Sequence, residues 1–272
     1  MGGIIDNLNP RQREAVEYCG GPQVVLAGAG SGKTKVLTTK IAYLVHEMGV
    51  KPWRILALTF TNKAAREMKS RAEAMFDGEL GGLEISTFHA YGLRFLHRYH
   101  EALEKLGYPY PFVIFDRSDS RSVVKRAMNE LNIDEKKLSV ADALDMISNA
   151  KTKANPVSRE PKVHERWRTL YDTYQNALKA QGALDFDDLM VLPLHILATD
   201  KDVLERERGR LDWVLVDEYQ DVNMPQYLLL RCLVDSGRKI MVVGDPDRSI
   251  YGSRGAERAS IRTFYRDFTR PQ

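Results

Sequence analysis

Short apolar runs of strand type alternate with stretches of helical period through the first third of the chain. Val24 to Ala27 precedes Val36 to Val45, Ile55 to Phe60 precedes Ala64 to Met75, and Leu83 to Phe88 precedes Tyr91 to Tyr99. Strands separated by helices cannot pair as hairpins, so the alternation predicts βαβ units in a parallel sheet. From about Arg117 to Gln181 the strand signal vanishes. Helix-period stretches such as Val123 to Leu131 and Ala141 to Ile147 remain, with turn signals at Asn155-Pro156 and Glu160-Pro161. Strand runs return at Trp213 to Val216 and Ile240 to Val243, apolar enough for burial on both faces. The expected organisation is an α/β domain split around an all-helical insert, with residues 1–108 and 184–272 forming the α/β parts and 109–183 the insert.

Composition narrows the class without choosing the function. The chain has 272 residues, 43% hydrophobic and 28% charged, which suits a globular protein and excludes wholesale disorder. No apolar run approaches a membrane span, and the opening MGGIIDNLNP lacks a signal-peptide pattern, so a cytoplasmic protein without membrane association is expected. Asp6 stands where N-myristoylation wants Ser or Thr. Cys19 and Cys232 have no His or Cys neighbours at ligand spacing, which leaves them as packed thiols. A net charge of +3 is too slight to establish a nucleic-acid partner; local clusters must carry that argument.

The first chemical signal is Gly28-Ala29-Gly30-Ser31-Gly32-Lys33-Thr34, placed between a strand and an amphipathic helix. Glycines there let backbone N–H groups turn onto phosphate oxygens, and the helix N-terminus adds partial positive charge. Lys33 can reach the outer phosphates and the Thr34 hydroxyl can hold Mg2+. The strict phosphate-loop pattern has Gly where Ala27 stands. A second apolar strand, Leu211 to Val216, delivers Asp217-Glu218-Tyr219-Gln220-Asp221. Asp217 suits Mg2+ and Glu218 suits activation of a water, which together indicate nucleoside triphosphate hydrolysis.

Further motifs occur in order along the chain: Leu8-Asn9-Pro10-Arg11-Gln12, then Thr59-Phe60-Thr61-Asn62-Lys63-Ala64-Ala65, and Ser86-Thr87-Phe88-His89. Leu184-Asp185-Phe186-Asp187-Asp188-Leu189 and Gly244-Asp245 through Arg254-Gly255-Ala256 follow. With the phosphate loop and the acidic motif, these make the chain resemble the N-terminal half of the UvrD/Rep/PcrA group of superfamily 1 DNA helicases. The resemblance implies a RecA-like P-loop NTPase fold, ATP with Mg2+, and 3′ to 5′ movement on single-stranded DNA beside a duplex junction. It makes Gln12 the adenine-selecting residue, and Lys35 stands where the family often has an arginine flanking the adenine, so stacking there is expected to be weaker. Thr59, Phe60, Thr61, Asn62, Thr87, Phe88, His89, Tyr251 and Arg254 are placed on the DNA side.

Several of these residues have a second reading. Gln12 alone is an ordinary surface glutamine, Phe60 a packed aromatic and His89 a core histidine; Asn62 is a plausible helix cap. Asp185, Asp187 and Asp188 read by spacing as a helix cap with an acidic first turn. In the insert, Lys151, Lys153, Arg159, Lys162, Arg166 and Arg168 surround Trp167 and Tyr171, a mixture that suits a nucleic-acid backbone as well as a solvated face.

Two positions of the last motif depart from the family pattern. Arg248 replaces a glutamine that senses the terminal phosphate, and as a cation it is instead a candidate catalytic contact to phosphate. Ser253 replaces an aromatic that stacks on a base, leaving Tyr251 and Phe60 for that task. The family continues beyond Phe264 to Phe268 into a second RecA-like domain, so the expectation is a fragment or truncated homologue with little hydrolysis and no unwinding alone. Two rivals remain: an ATP-gated single-strand clamp or partner-docking module, and a small-substrate kinase or GTPase. The second is disfavoured because no Asn-Lys-x-Asp stretch is present.

Overall fold

The computed structural model describes residues 4–28, 30–76, 81–234, 239–245 and 261–268. By packing, Met1–Phe88 with Glu205–Gln272 form one compact unit and His89–Leu204 another. The boundaries expected at 109 and 184 lie inside the second unit.

The first unit is built on five parallel strands, β1 (Gln23–Leu26), β2 (Ile55–Thr59), β3 (Glu84–Thr87), β6 (Trp213–Val216) and β7 (Lys239–Gly244). Their order is β1-β7-β6-β2-β3, so the last strand in sequence lies between the first and β6. The register sets Leu26 beside Gly244 and Leu58 beside Val216. With all strands pointing one way, their C-terminal ends gather on one edge, where open α/β sheets assemble ligand sites. This is a RecA-like α/β fold.

The helices of this unit follow from their apolar spacing and caps. In α1 (Pro10–Glu17), Asn9 and Gln12 form a reciprocal capping box and Pro10 supplies a preset first turn. Helix α2 (Lys33–His46) buries Leu37, Ile41 and Leu44, one face of a 3.6-residue period, against Ile55, Ala57, Leu215, Met241 and Val243. Helix α3 (Asn62–Glu73) is capped by Thr61, whose hydroxyl accepts from the Ala64 amide at 3.1 Å. The cap is therefore one residue earlier than the expected Asn62, which sits inside the first turn. Helix α11 (Met224–Leu233) and a helix at Ile261–Phe268 complete the described part.

In the second unit, α6 (Arg117–Glu130), α7 (Val140–Thr152) and α8 (Arg168–Ala180) close around Val123, Met128, Ile147, Leu170 and Tyr174. Two strands of two residues each, β4 (Val113–Ile114) and β5 (Ala183–Leu184), pair in parallel, so the insert is not purely helical. Elements that short carry no readable period. Helix α4 (Phe88–Arg98) approaches α9 (Asp188–Thr199) so closely that a Cβ on Gly92 would lie 1.8 Å from the Leu189 carbonyl oxygen. Only glycine fits there. Helices α5 (His100–Lys105) and α10 (Lys201–Gly209) follow α4 and α9 in the chain.

Candidate active site

The loop between β1 and α2 carries the phosphate-loop residues to the C-terminal edge of the sheet. Gly30 and Gly32 have φ of +74° and +86°, backbone that a side chain disfavours, and no atom lies within 4 Å of a Cβ placed on Gly28 or Gly30. The loop is tied internally by Ser31, whose hydroxyl donates to the Gly28 carbonyl at 2.6 Å, and Ala27 stays on the sheet through its amide to Gly244. Ala29 lies outside the described residues. A cleft of about 380 Å³ opens over the loop, lined by Gly30, Gly32, Lys33, Thr34, Lys35, Arg71 and Glu218. Arg71 belongs to α3, and sequence reasoning passed over it because an arginine on an amphipathic helix carries no motif.

Lys33 is largely buried and faces two carboxylates, Glu218 Oε2 at 3.4 Å and Asp245 Oδ2 at 3.6 Å. The strand order explains this convergence: β7 and β6, which end in Asp245 and Asp217-Glu218, are the next two strands beyond β1. Asp245 was also missed as a site residue, since only the placement of β7 brings it to Lys33. Asp217 is 5% exposed, and burial followed by the neighbouring Glu218 charge pushes its carboxyl up to about 6. Its Oδ1 accepts from the Glu218 amide at 2.9 Å. Glu218 is in left-handed backbone, φ 49° and ψ 44°, which turns its side chain back over the loop. Gln220 holds it there: Nε2 donates to Glu218 Oε2 at 2.6 Å while Oε1 accepts from the Asp245 amide at 2.9 Å.

The fit to a magnesium-bound triphosphate can be judged from these groups. Lys33 is a cation compensated by carboxylates in a cleft ringed by glycine backbone, so an anionic oxygen can replace either carboxylate as its partner. Asp217 is a buried acid repelled by its neighbour, an arrangement that a divalent cation relieves, and Thr34 lines the same cleft. Gln12 sends Nε2 to the Ser31 carbonyl at 2.9 Å and accepts the Asn9 amide at Oε1, which sets its amide beside the loop. Lys35 donates its ammonium to the Asn7 carbonyl, so its charge anchors α1 as well as lining the cleft.

The residues expected on the DNA side divide by exposure. Thr59 and Phe88 are each 1% exposed and Thr87 is buried, so these side chains are packed within the fold and not presented at its surface. Thr61 and Asn62 are exposed and Phe60 half-buried, with the Phe60 and Phe88 rings 5.6 Å apart. His89, in the second unit, makes an edge contact with the exposed Phe186 ring, and burial lowers its pKa. Arg248, Tyr251, Ser253 and Arg254 lie outside the described residues.

One member of the basic run in the insert is not a surface cation. Lys151 is buried, not presented to a ligand: its ammonium donates to Asp185 Oδ2 at 2.6 Å and Asp188 Oδ1 at 2.9 Å, and Tyr174 donates to the same Asp185 oxygen. Asp185 and Asp188 also exchange amide bonds across the start of α9, as a cap does. Burial opposes every charge here. Lys151 outweighs it at Asp185, held below the usual range, while burial and the Asp185 charge push Asp188 up to about 7. Arg159 is drawn to the Tyr108 hydroxyl and Arg168 to Asp172, which leaves Lys153, Lys162 and Arg166 as the exposed cations of the run.

The glycine loop after β1 and the acidic end of β6 lie at the C-terminal edge of the parallel sheet of a RecA-like α/β domain. Residues 8–269 match the family model described as the UvrD/REP helicase N-terminal domain. The chain is 41% identical to the ATP-dependent DNA helicase PcrA of Leuconostoc citreum, over 97% of this chain and 36% of that protein. Proteins of the same name match at 40% from Staphylococcus aureus Mu50, over 98% and 37%, and at 41% from Bacillus subtilis 168, over 97% and 36%. The chain thus belongs to the UvrD/REP helicase family, and it spans a little over a third of the length of these relatives. Among the described residues no helix is long and apolar enough to cross a membrane.

Proposed function

We propose that this chain is the ATP-binding portion of an ATP-dependent DNA helicase that moves 3′ to 5′ on single-stranded DNA. The observation that carries the reading is Lys33, which lines a glycine-walled cleft together with Glu218 and faces the carboxylates of Glu218 and Asp245, with the buried Asp217 carboxyl beside Glu218, in a chain of the UvrD/REP family. Lys33 exchanges its carboxylate partners for phosphate oxygen, and the loop amides hold the remaining phosphates. Thr34 and Asp217 hold Mg2+, which when bound neutralises phosphate charge. Glu218, freed from Lys33 and kept in place by Gln220, accepts a proton from the attacking water. Gln12 reads the adenine edge, offering one donor and one acceptor from a single amide. Lys35 and Arg71 flank the cleft as further cations, and Arg248 adds a charge for phosphate.

Single-stranded DNA, with a duplex junction, is the proposed partner, through Thr61, Asn62, Phe60 and His89 with Tyr251 and Arg254. Cytoplasmic placement accords with that substrate. A second reading, an ATP-gated single-strand clamp or docking module, is favoured by Arg248 and Ser253 in place of the family's coupling and stacking residues. As an isolated polypeptide the 272 residues are proposed to turn over slowly and unwind nothing, since the resemblance assigns further phosphate-binding arginines to a second RecA-like domain.

Fluorescence anisotropy of a labelled oligonucleotide across a salt series, paired with ATPase assays with and without DNA, tests the reading. Single-strand affinity should fall with salt at a slope near −0.7 per neutralised phosphate. Salt-independent binding contradicts the DNA track, and strong DNA-stimulated hydrolysis by the 272 residues alone contradicts the slow turnover proposed for them.

A further inference from the structure

The last carbonyls of α1 have no helical N–H to accept from, and two side chains from either flank of the phosphate loop supply the donors. Lys40, on α2, is 0% exposed. Its ammonium donates to the carbonyls of Val16, at 2.7 Å, and Tyr18, lies 3.4 Å from Cys19 Sγ and stands 4.8 Å from the centre of the Trp213 ring. Carbonyls at a helix C-terminus carry partial negative charge and an aromatic face adds more, which is how this buried cation is compensated. Gln23, on β1, donates from Nε2 to the Ala15 carbonyl at 2.9 Å. Its Oε1 is buried without a hydrogen-bond partner among the described residues, so the amide is held by its donor alone.

At the other end of α1, Lys35 donates to Asn7, and Gln12 itself reaches the Ser31 carbonyl within the loop. Strand β1 enters the phosphate loop and α2 leaves it. Helix α1 is therefore fastened at both ends to the two segments that define the loop's position.

We propose that Lys40 and Gln23 are positioning residues for nucleobase selection, fixing the C-terminal end of α1 so that Gln12 meets the base of a purine nucleotide whose phosphates sit on the loop. The proposal rests on Gln12 as the residue that selects adenine. Neither Lys40 nor Gln23 touches the nucleotide. Loss of either lets α1 shift about its remaining ties while the glycine backbone and Lys33 stay in place, so base discrimination weakens and phosphate binding persists.

Fluorescence titration of the 272-residue chain with N-methylanthraniloyl ATP and GTP, with inorganic pyrophosphate as a competitor, tests this in wild type, Gln12→Ala, Lys40→Met, Lys40→Arg and Gln23→Leu. Removing the adenine contacts in Gln12→Ala should cut the ATP preference by about tenfold. Lys40→Met and Gln23→Leu should cut it several-fold through weaker ATP binding, with pyrophosphate affinity unchanged, and Lys40→Arg should recover most of it. Circular dichroism melts establish that each variant is folded at the titration temperature; if Lys40→Met is not, Gln23→Leu decides on the same ratio. A wild-type ATP-to-GTP ratio in folded Lys40→Met or Gln23→Leu overturns the positioning role. So does a parallel loss of pyrophosphate affinity at constant ratio, which marks a purely structural effect. An unchanged ratio in Gln12→Ala overturns instead the adenine reading beneath it.

Discussion

Replacing Asp217 with asparagine should stabilise the protein in the absence of nucleotide and Mg2+, and only above mildly acidic pH. The Asp217 carboxyl is pushed up to about 6 by burial and by Glu218. A carboxyl raised in the folded state keeps a proton that the unfolded chain has released. Stability is therefore lost as pH rises from about 4 through 6, and the full penalty stands above that range. A rise of roughly two pH units corresponds to about 3 kcal/mol at pH 7.5, shrinking to under about 1 kcal/mol at pH 4.5. The substituted amide keeps an oxygen for the Glu218 N–H and loses the charge, so it escapes the penalty without opening a hydrogen bond. In thermal unfolding the gain should be on the order of 5 to 10 °C at pH 7.5 and should shrink at pH 4.5. Mg2+ with ATP should reverse the order, because only the aspartate attracts the cation. Equal melting temperatures at pH 7.5, or a difference independent of pH, would refute the reasoning.

Glu218→Gln should retain ATP binding and suppress hydrolysis, because an amide cannot take the proton of the attacking water; hydrolysis at the wild-type rate in a phosphate-release assay would place the base elsewhere. Tyr219→Phe should leave stability unchanged or raise it by up to about 1 kcal/mol, read from the denaturant midpoint, since the buried hydroxyl has no partner among the described residues. Gly92→Ala should cost more than about 3 kcal/mol in the same measurement, because its Cβ would meet backbone at 1.8 Å and neither helix can yield without moving the other.

Much of the candidate nucleotide site is readable from local pattern alone, because strand, loop and helix are consecutive and each has its own period. The phosphate loop from Gly28 to Thr34 and the acidic end of β6 lie where the alternation of strand and helix puts them. Asp245 is different: its pairing with Lys33 depends on β7 lying next to β1, a neighbour relation between segments some two hundred residues apart. Lys151 misled for a related reason. A lysine in a basic run is read as solvated, and only the tertiary approach of Asp185 and Asp188 makes its burial tolerable. Lys40 sits on the buried face of α2, where periodicity calls for an apolar residue, and its reason lies in the carbonyls of a separate helix. Phe88 directly follows β3 at the C-terminal edge of the sheet, yet as the first residue of α4 it turns into the core.

The central claim is that Lys33 and the glycine loop form a phosphate site in which phosphate oxygen takes the place of Glu218 and Asp245 as the partner of Lys33. Calorimetric titration of wild type and Lys33→Ala with magnesium ATP tests it most directly. Wild type should bind, and the variant should bind at least tenfold more weakly, since a charge-assisted contact to phosphate contributes about 1.5 to 3 kcal/mol. Equal affinity in the two proteins would contradict the account.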